Sequence, residues 1–393
     1  MTEVFICSPT RTAIGTFNGT LKDTAATVLG AAVISETVKR AGLAAKEVEG
    51  VVMGHVVQAG AGMNSGRQAA ILGGIPVNVP ALTVNRVCGS GAQAIVSAYL
   101  EVVSGNIQCA IAGGMENMDR CPYLLDSARW GYRLGEGKLG DSMLIDGLHD
   151  AFSTKHSGWH TEDLVNQYAI SREQQDAWAL RSQQRFGKAQ AEGKFKEEIT
   201  PIEITTRKGV ELFQKDEHNR PETSAELLTK LKPAFRKDGT ITAGNSPGLN
   251  SAAAAMLIVE KKFASEHNLK PLARIVAYGL GAVEPGMFGL GPIPAVRQAL
   301  SRAKWKIEDV ERVEINEAFA AIAIAVMRDL GFREEIVNVE GGAIAHGHPI
   351  GATGAILTTR LLYSMQRDGL KRGIVTLCIG GGQGIALALE CLS

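Results

Sequence analysis

Six cysteines are spread through the 393 residues, at positions 7, 88, 109, 121, 378 and 391, and two of them stand where a thiol could do more than pack. Cys88 lies in the tight turn Cys88-Gly89-Ser90-Gly91, between a strand-like stretch, Thr83 to Val87, and a small-residue helical stretch, Ala92 to Leu100. A helix N-terminus offers unpaired NH groups and the positive end of the peptide dipole, which favour thiolate over thiol. An ordinary thiol titrates near about 8.5, and each pH unit of lowering is about 1.4 kcal/mol of preference for the anion. Buried cysteine is also common filler. Gly89 and Gly91 tilt the reading, because neighbours without side chains let a ligand approach the sulfur.

Three further stretches could supply the rest of a site. Gly341 to Gly354 reads GGAIAHGHPIGATG and places His348 in a glycine-rich loop just before a helix expected to start at Pro349. Asn316 precedes Glu317-Ala318-Phe319-Ala320 at a strand-to-helix junction, where its amide would either cap the helix or orient a water. Cys378 opens Cys378-Ile379-Gly380-Gly381-Gly382-Gln383-Gly384 at a strand end. That run is a close-packed turn between strands or a second reactive thiol. Without a following helix it is poor evidence for a dinucleotide.

Composition narrows the chemistry. Lys plus Arg and Asp plus Glu both number 41, which gives no electrostatic case for nucleic acid or anionic membrane as partner. The cysteines show no CxxC pair or framework spacing, so neither a zinc site nor a disulfide scaffold is suggested, and reduced cytoplasmic thiols are expected. Met1 to Cys7 has no signal-peptide pattern, and Cys391-Leu392-Ser393 is not a peroxisomal signal. The longest apolar runs, Ala252 to Val259 and Ala318 to Met327, fall short of the ~20 residues that span a bilayer.

The elements that must position these residues repeat. Arg40 to His55 matches Arg302 to Glu317, each a helix end, an acidic turn and a strand, and Cys88 with Gly91-Ala92 answers to His348 with Gly351-Ala352. The cysteine and the histidine are thereby expected on equivalent strand-to-helix turns of two α/β units. The first unit is interrupted after Met115 and resumes at Gly248, an insertion of about 130 residues of the kind that covers a site. Its basic residues Arg207, Lys208, Lys215, Arg220, Lys230, Lys232, Arg236 and Lys237 interleave with acidic ones and read mostly as a solvated face. The boundaries read as 1–118 with 248–271, 119–247, and 272–393.

Five motifs in order, the Cys88 turn, Gly113-Gly114-Met115-Glu116-Asn117-Met118, Asn316-Glu317-Ala318-Phe319, Gly347-His348-Pro349 and Cys378 to Gly382, resemble the thiolases from Thr10 to Gly384. Thr154 to Gly158 and Trp130 to Gly135 are most similar to the acetoacetyl-CoA subgroup. The resemblance implies an α/β fold of two duplicated halves with central mixed sheets, layered αβαβα, plus an inserted loop domain. It implies reversible Claisen condensation of two acetyl-CoA through an acyl-cysteine, with CoA as substrate or product, no metal or other cofactor, and a homodimer or homotetramer. Cys88 would be the nucleophile, His348 its base and Cys378 the base that opens the second acetyl-CoA. A water on Asn316 with His348, and the NH groups of Cys88 and Gly380, would stabilise oxyanions. His156, Arg220, Phe235, Ser246, Leu249 and Phe319 would lie near CoA. Relatives carry Ala-Ser-Gly where this chain has Ser246-Pro247-Gly248, and differ at Ser157, Leu227, Ser251-Ala252 and Phe288. Alternatives are a 3-ketoacyl-CoA thiolase of broader chain length, or a CoA-binding relative with impaired turnover. A ketoacyl synthase would need histidine or asparagine in place of Cys378.

Overall fold

The computed structural model describes residues 2–206 and 209–392, so Arg207 and Lys208 lie outside the described residues. Nine strands carry the architecture: β1 (Val4–Thr12), β2 (Gly50–Gly54), β3 (Ala81–Val84), β4 (Cys109–Asn117), β5 (Asn250–Glu260), β6 (Pro271–Ala282), β7 (Arg312–Ile315), β8 (Arg372–Ile379) and β9 (Gln383–Cys391). They follow one hydrogen-bonded path, β7-β8-β9-β6-β1-β5-β4-β2-β3. In the first half β1 pairs β5 and β5 pairs β4 antiparallel, while β2 runs parallel to both β4 and β3. The second half repeats the scheme: β6 with β9 and β9 with β8 antiparallel, β8 with β7 parallel. A single parallel bridge, Val313 to Val337, stands where β3 stands in the first half. The halves join through antiparallel β1 and β6.

Helices α1 (Ala26–Ala41), α2 (Ser65–Leu72), α3 (Ser90–Val103), α4 (Ser157–Gln167), α5 (Arg172–Ala191), α6 (Pro292–Ala303), α7 (Ala320–Leu330) and α8 (Thr353–Asp368) complete the layers. β5 shows why its sequence is apolar without alternation: both faces are covered. Ala252, Ala254, Met256 and Ile258 point into a middle core shared with α3 and α8, and Ala253, Ala255, Leu257 and Val259 into an outer core under α1. α6 and α7 cover the outer face of the second half. The result is helix, sheet, helix, sheet, helix.

The two middle helices meet at their first turns without side chains between them. A Cβ on Gly91 would lie 2.7 Å from the Ala355 nitrogen, and one on Gly354 would lie 2.3 Å from the Ala92 nitrogen. No real Cβ tolerates such a contact, so glycine at both positions lets the backbones touch and brings the turns before α3 and α8 together. Those turns carry Cys88 and His348.

The insertion leaves β4 and returns at β5, whereas β8 passes to β9 through Gly380-Gly381-Gly382 alone. α5 opens with a capping box, in which the Ser171 side chain accepts from the Gln174 NH and the Gln174 side chain from the Ser171 NH. It anchors to the second half through Glu317, a buried carboxylate that accepts from Trp178 Nε1 at 2.9 Å, Ser182 Oγ at 2.7 Å, Asn338 Nδ2 at 3.0 Å and the Ile344 NH at 3.1 Å. Among the described residues no helix is long and apolar enough to cross a membrane.

Candidate active site

Cys88 is held by a strained turn. β3 ends at Val84, and Val87 has φ +44°, a left-handed conformation that costs a β-branched residue of order 1–3 kcal/mol. Hydrogen bonds enforce it: Val87 NH to Asn85 Oδ1 at 2.9 Å, Ser90 Oγ to the Val87 carbonyl at 2.7 Å, and Arg86 NH to Ser90 Oγ at 2.9 Å. Arg86 also donates to Gln383 Oε1 at 3.0 Å, tying the turn to the β8–β9 connection. The Cys88 sulfur accepts from its own NH and from the NH of Gly380.

The expected low thiol pKa is corrected here. Burial among Val56, Val57 and Ile350 pushes the Cys88 thiol up to about 11; the two NH donors act the other way, and the Glu116 charge adds to the rise. Desolvation of the anion outweighs the helix terminus and the donors together. Cys378 is corrected in the same direction. It is fully buried at the end of β8, and burial first, then the neighbouring Cys88 sulfur, raise it well above the ordinary thiol range. Burial therefore keeps Cys378 as the thiol near neutral pH. The glycines after it form the strand-to-strand turn, with Gly381 and Gly382 at φ +82° and +84°.

His348 is neutral at rest, its pKa lowered to about 4 by burial. Thr353 Oγ1 donates to the Pro349 carbonyl at 2.8 Å and lies 2.7 Å from His348 Nδ1. The hydroxyl proton being committed, Nδ1 must carry the ring proton and Nε2 the lone pair. The His348 NH donates to Asn250 Oδ1 at 2.9 Å. Pro349 does not start the helix: Ala352 and Thr353 NH both donate to its carbonyl in a turn, and α8 begins at Thr353.

Asn316 is not an N-cap. α7 is preceded by Phe319, which makes no side-chain cap, and the Asn316 NH donates to the Thr376 carbonyl. Its buried amide instead stands with Nδ2 3.3 Å from His348 Nε2, and Oδ1 meets no hydrogen-bond partner among the described residues.

Cys88, His348 and Gly380 share one cavity of about 430 Å³. Its walls also hold His156, Phe235, Ser246, Leu249 and Phe319. His156 stacks on Phe235 at 4.5 Å, and Phe235 meets Phe319 edge-on at 5.8 Å. Burial, then His149, lowers the His156 pKa to about 4, so the stack is uncharged. Arg220 is not brought into the wall: it is exposed and neighbours His218, whose Nε2 accepts the Gly248 NH at 3.2 Å behind the lining loop. Cys378 and Asn316 lie buried outside the lining.

The departures divide in the same way. Ser157, Pro247 and Phe288 line the cavity. Ser251 does not; its hydroxyl donates to Asn117 Oδ1 at 2.9 Å. Leu227 is exposed on a short helix. Sequence reasoning missed Thr353, Asn250 and Glu116, although Glu116 sits inside a quoted motif, and it missed the lining residues His149, Asp150 and His160. No cluster of three or more His, Cys, Asp or Glu that could hold a metal ion occurs among the described residues.

The thiolase N-terminal domain family matches residues 4–262 and the thiolase C-terminal domain family residues 269–391. The acetyl-CoA acetyltransferase of Syntrophomonas wolfei is 48% identical over 394 residues, 99% of each chain, and that of Pseudomonas aeruginosa is 49% identical over 390 residues, again 99% of each. A crystal structure of the Bacillus anthracis acetyl-CoA acetyltransferase superposes with TM-score 0.98 at 44% identity. Human mitochondrial 3-ketoacyl-CoA thiolase does so with 0.97 at 40%; both alignments cover 100% of this chain and 99% of the other. With both domain families matched in order along nearly its whole length, the chain belongs to the thiolases.

Proposed function

We propose that this thiolase is an acetyl-CoA C-acetyltransferase that joins two acetyl-CoA into acetoacetyl-CoA and CoA, and cleaves the product in reverse. The observation that carries the reading is the Cys88 sulfur under two NH donors, in a cavity whose wall also holds a neutral histidine. Full-length relatives named acetyl-CoA acetyltransferase support the substrate.

The mechanism follows from the protonation states. Both thiols and His348 are uncharged at rest, since burial disfavours each ion. His348 Nε2 takes the Cys88 proton as the sulfur attacks the thioester carbonyl, and the NH groups of Cys88 and Gly380 hold the oxyanion. CoA departs as thiolate and takes the Cys378 proton. Cys378, now the thiolate, removes a Cα proton from the second acetyl-CoA. The enolate, stabilised by His348 and a water on Asn316, attacks the acetyl carbonyl, and the Cys88 thiolate leaves and recovers its proton from His348. A buried thiol suits this order: a donor in the first half-reaction, it becomes a strong base in the second. CoA is a substrate and product, and this chemistry calls on no metal or other cofactor.

A second reading, thiolysis of longer 3-ketoacyl-CoA, is favoured by Ser157 and Phe288 in the wall and by the likeness to the human 3-ketoacyl-CoA thiolase. A chain-length series in the thiolysis direction separates the two. Acetoacetyl-CoA as best substrate supports the first reading, and rising kcat/KM toward longer chains the second. Absence of acetoacetyl-CoA after incubation with acetyl-CoA, with no thiolysis either, contradicts both. The reading includes a cytoplasmic setting and a homodimer or homotetramer. Trp130, Leu134 and Leu139, 83%, 99% and 66% exposed on the inserted segment, support self-association.

A further inference from the structure

Behind the Cys88 and His348 turns lies a carboxylate that the acyl-transfer steps do not use. Glu116, near the end of β4, is fully buried. Its Oε2 accepts from the Gly351 NH at 2.9 Å and the Val56 NH at 3.2 Å, and its Oε1 from the Val57 NH at 3.3 Å. His55 Nε2 lies 3.3 Å from Oε1, and His55 Nδ1 lies 2.9 Å from Ser65 Oγ at the start of α2. These donors come from two loops. His55, Val56 and Val57 follow β2, and Gly351 belongs to the turn that carries His348.

The same loops back the nucleophile. Val56, Val57, Ile350 and Cys88 form one small apolar cluster. The Gly351 turn is pressed hard onto its anchor: a Cβ there would lie 2.7 Å from Glu116 Oε2 and 3.0 Å from His55 Cα. Two residues back on β4, a Cβ on Gly114 would lie 2.1 Å from the Gly351 carbonyl oxygen. The turn therefore packs backbone to backbone against β4.

We propose that Glu116 is a positioning residue for acyl transfer: its carboxylate gathers NH groups from both loops and fixes the His348 turn against the Cys88 turn. The proposal rests on the reading of Cys88 as nucleophile and His348 as its base. A carboxylate suits the task because it only accepts, so three NH donors can share two oxygens in charge-assisted bonds. An amide would turn its own NH2 toward an NH group. The charge also acts on the nucleophile. Around the Cys88 sulfur stand the NH groups of Cys88 and Gly380, the Cys378 thiol and, in the same cavity, His348; from behind the turn the Glu116 charge adds to burial in keeping Cys88 protonated until His348 takes the proton.

The test uses Glu116→Gln and Glu116→Asp in the full chain. Two readouts are needed: the pH dependence of Cys88 alkylation by iodoacetamide without acyl-CoA, and steady-state kinetics. Glu116→Gln is expected to titrate Cys88 at lower pH yet lose roughly 10²-fold in kcat with KM little changed, because misplacement by about 1 Å costs that much. Glu116→Asp keeps the charge and hence the parental alkylation profile, but its shorter side chain cannot span both loops, so kcat falls while KM holds. A purely structural role would lower the melting temperature and leave both the alkylation profile and kcat per folded molecule as in the parent, which overturns the proposal. If Glu116→Gln does not fold, Glu116→Asp decides, and parental kcat in it is likewise fatal. Alkylation needs no acyl-CoA, so this outcome is separate from any failure of acetyl-CoA as substrate.

Discussion

At the scale of single residues, two thiols that burial treats alike are expected to do different work. Cys378→Ala should still accept an acetyl group from acetyl-CoA, since the CoA thiolate can depart without a donor, but should lose most condensation. Cys88→Ala should lose both steps. Equal loss of acylation in the two variants, measured as a burst of free CoA, would refute the division. Asn316→Ala tests the neighbouring amide. Among the described residues its side chain makes one bond, at 3.3 Å, and caps no helix, so stability should change by about 1 kcal/mol or less. Turnover should fall about 10²-fold, the worth of an oxyanion donor. A large drop in melting temperature with turnover retained would return Asn316 to a structural role. Residue types and spacing singled out Cys88, His348, Asn316 and Cys378 in the sequence, and the structure brings Cys88 and His348 into one cavity wall, with Asn316 beside His348 and Cys378 buried behind it. Protonation states were not legible, because they depend on desolvation by side chains distant in the chain, such as Val56 and Ile350 around Cys88.

At the scale of elements, the repeat in the sequence corresponds to matched strand pairings, and the turns of Cys88 and His348 meet through glycine-mediated contact between α3 and α8; there Gly91 answers to Gly354 and not to Gly351, so the register read for this part of the repeat is shifted by three residues. The start of α8 was misplaced because Pro349 resembles a first helical residue, whereas its carbonyl here closes a turn whose Gly351 NH is taken by Glu116. The Ser246-Pro247-Gly248 loop supplies a prediction at this scale. Pro247 lines the cavity without NH or hydroxyl, and the Ser246 hydroxyl is committed to the Thr242 carbonyl at 2.8 Å. Pro247→Ser should therefore add a donor and lower KM for acetyl-CoA about 2-fold to 12-fold, from the 0.5 to 1.5 kcal/mol of a neutral hydrogen bond. kcat should stay nearly unchanged. A KM equal to or above that of the parent would show that proline's rigidity already does the same work.

At the scale of the whole molecule, burial of titratable groups sets a pH window for stability. His156, His218 and His348 have pKa values lowered to about 4, and His346 lies well below the usual range, all chiefly by burial. As pH falls below about 6.5 the unfolded chain binds protons that the native chain refuses, so stability drops, each group contributing up to about 1.4 kcal/mol per pH unit. Glu314 opposes them: burial pushes it up to about 8, so the native state keeps a proton that the unfolded state releases, and stability declines as pH rises through 4.5 to 8. Glu198 is raised by burial as well, and four histidines outweigh these two glutamates in the acid range. Above pH 9 the raised thiols, Cys88 at about 11 and Cys7 and Cys121 at about 12, cost stability because the unfolded chain ionises first. Melting temperature should peak at about pH 6 to 7 and fall on both sides. A profile that is flat from pH 4 to 7 would contradict neutral burial of the histidines.

Whether Cys88 carries the acyl group is read from the mass of the protein after brief incubation with acetyl-CoA, followed by peptide mapping. One acetyl group per chain, on the peptide that contains Cys88 and absent from Cys88→Ala, is the expected result. An acetyl group on Cys378, or an unlabelled protein that nonetheless forms acetoacetyl-CoA, would contradict the account.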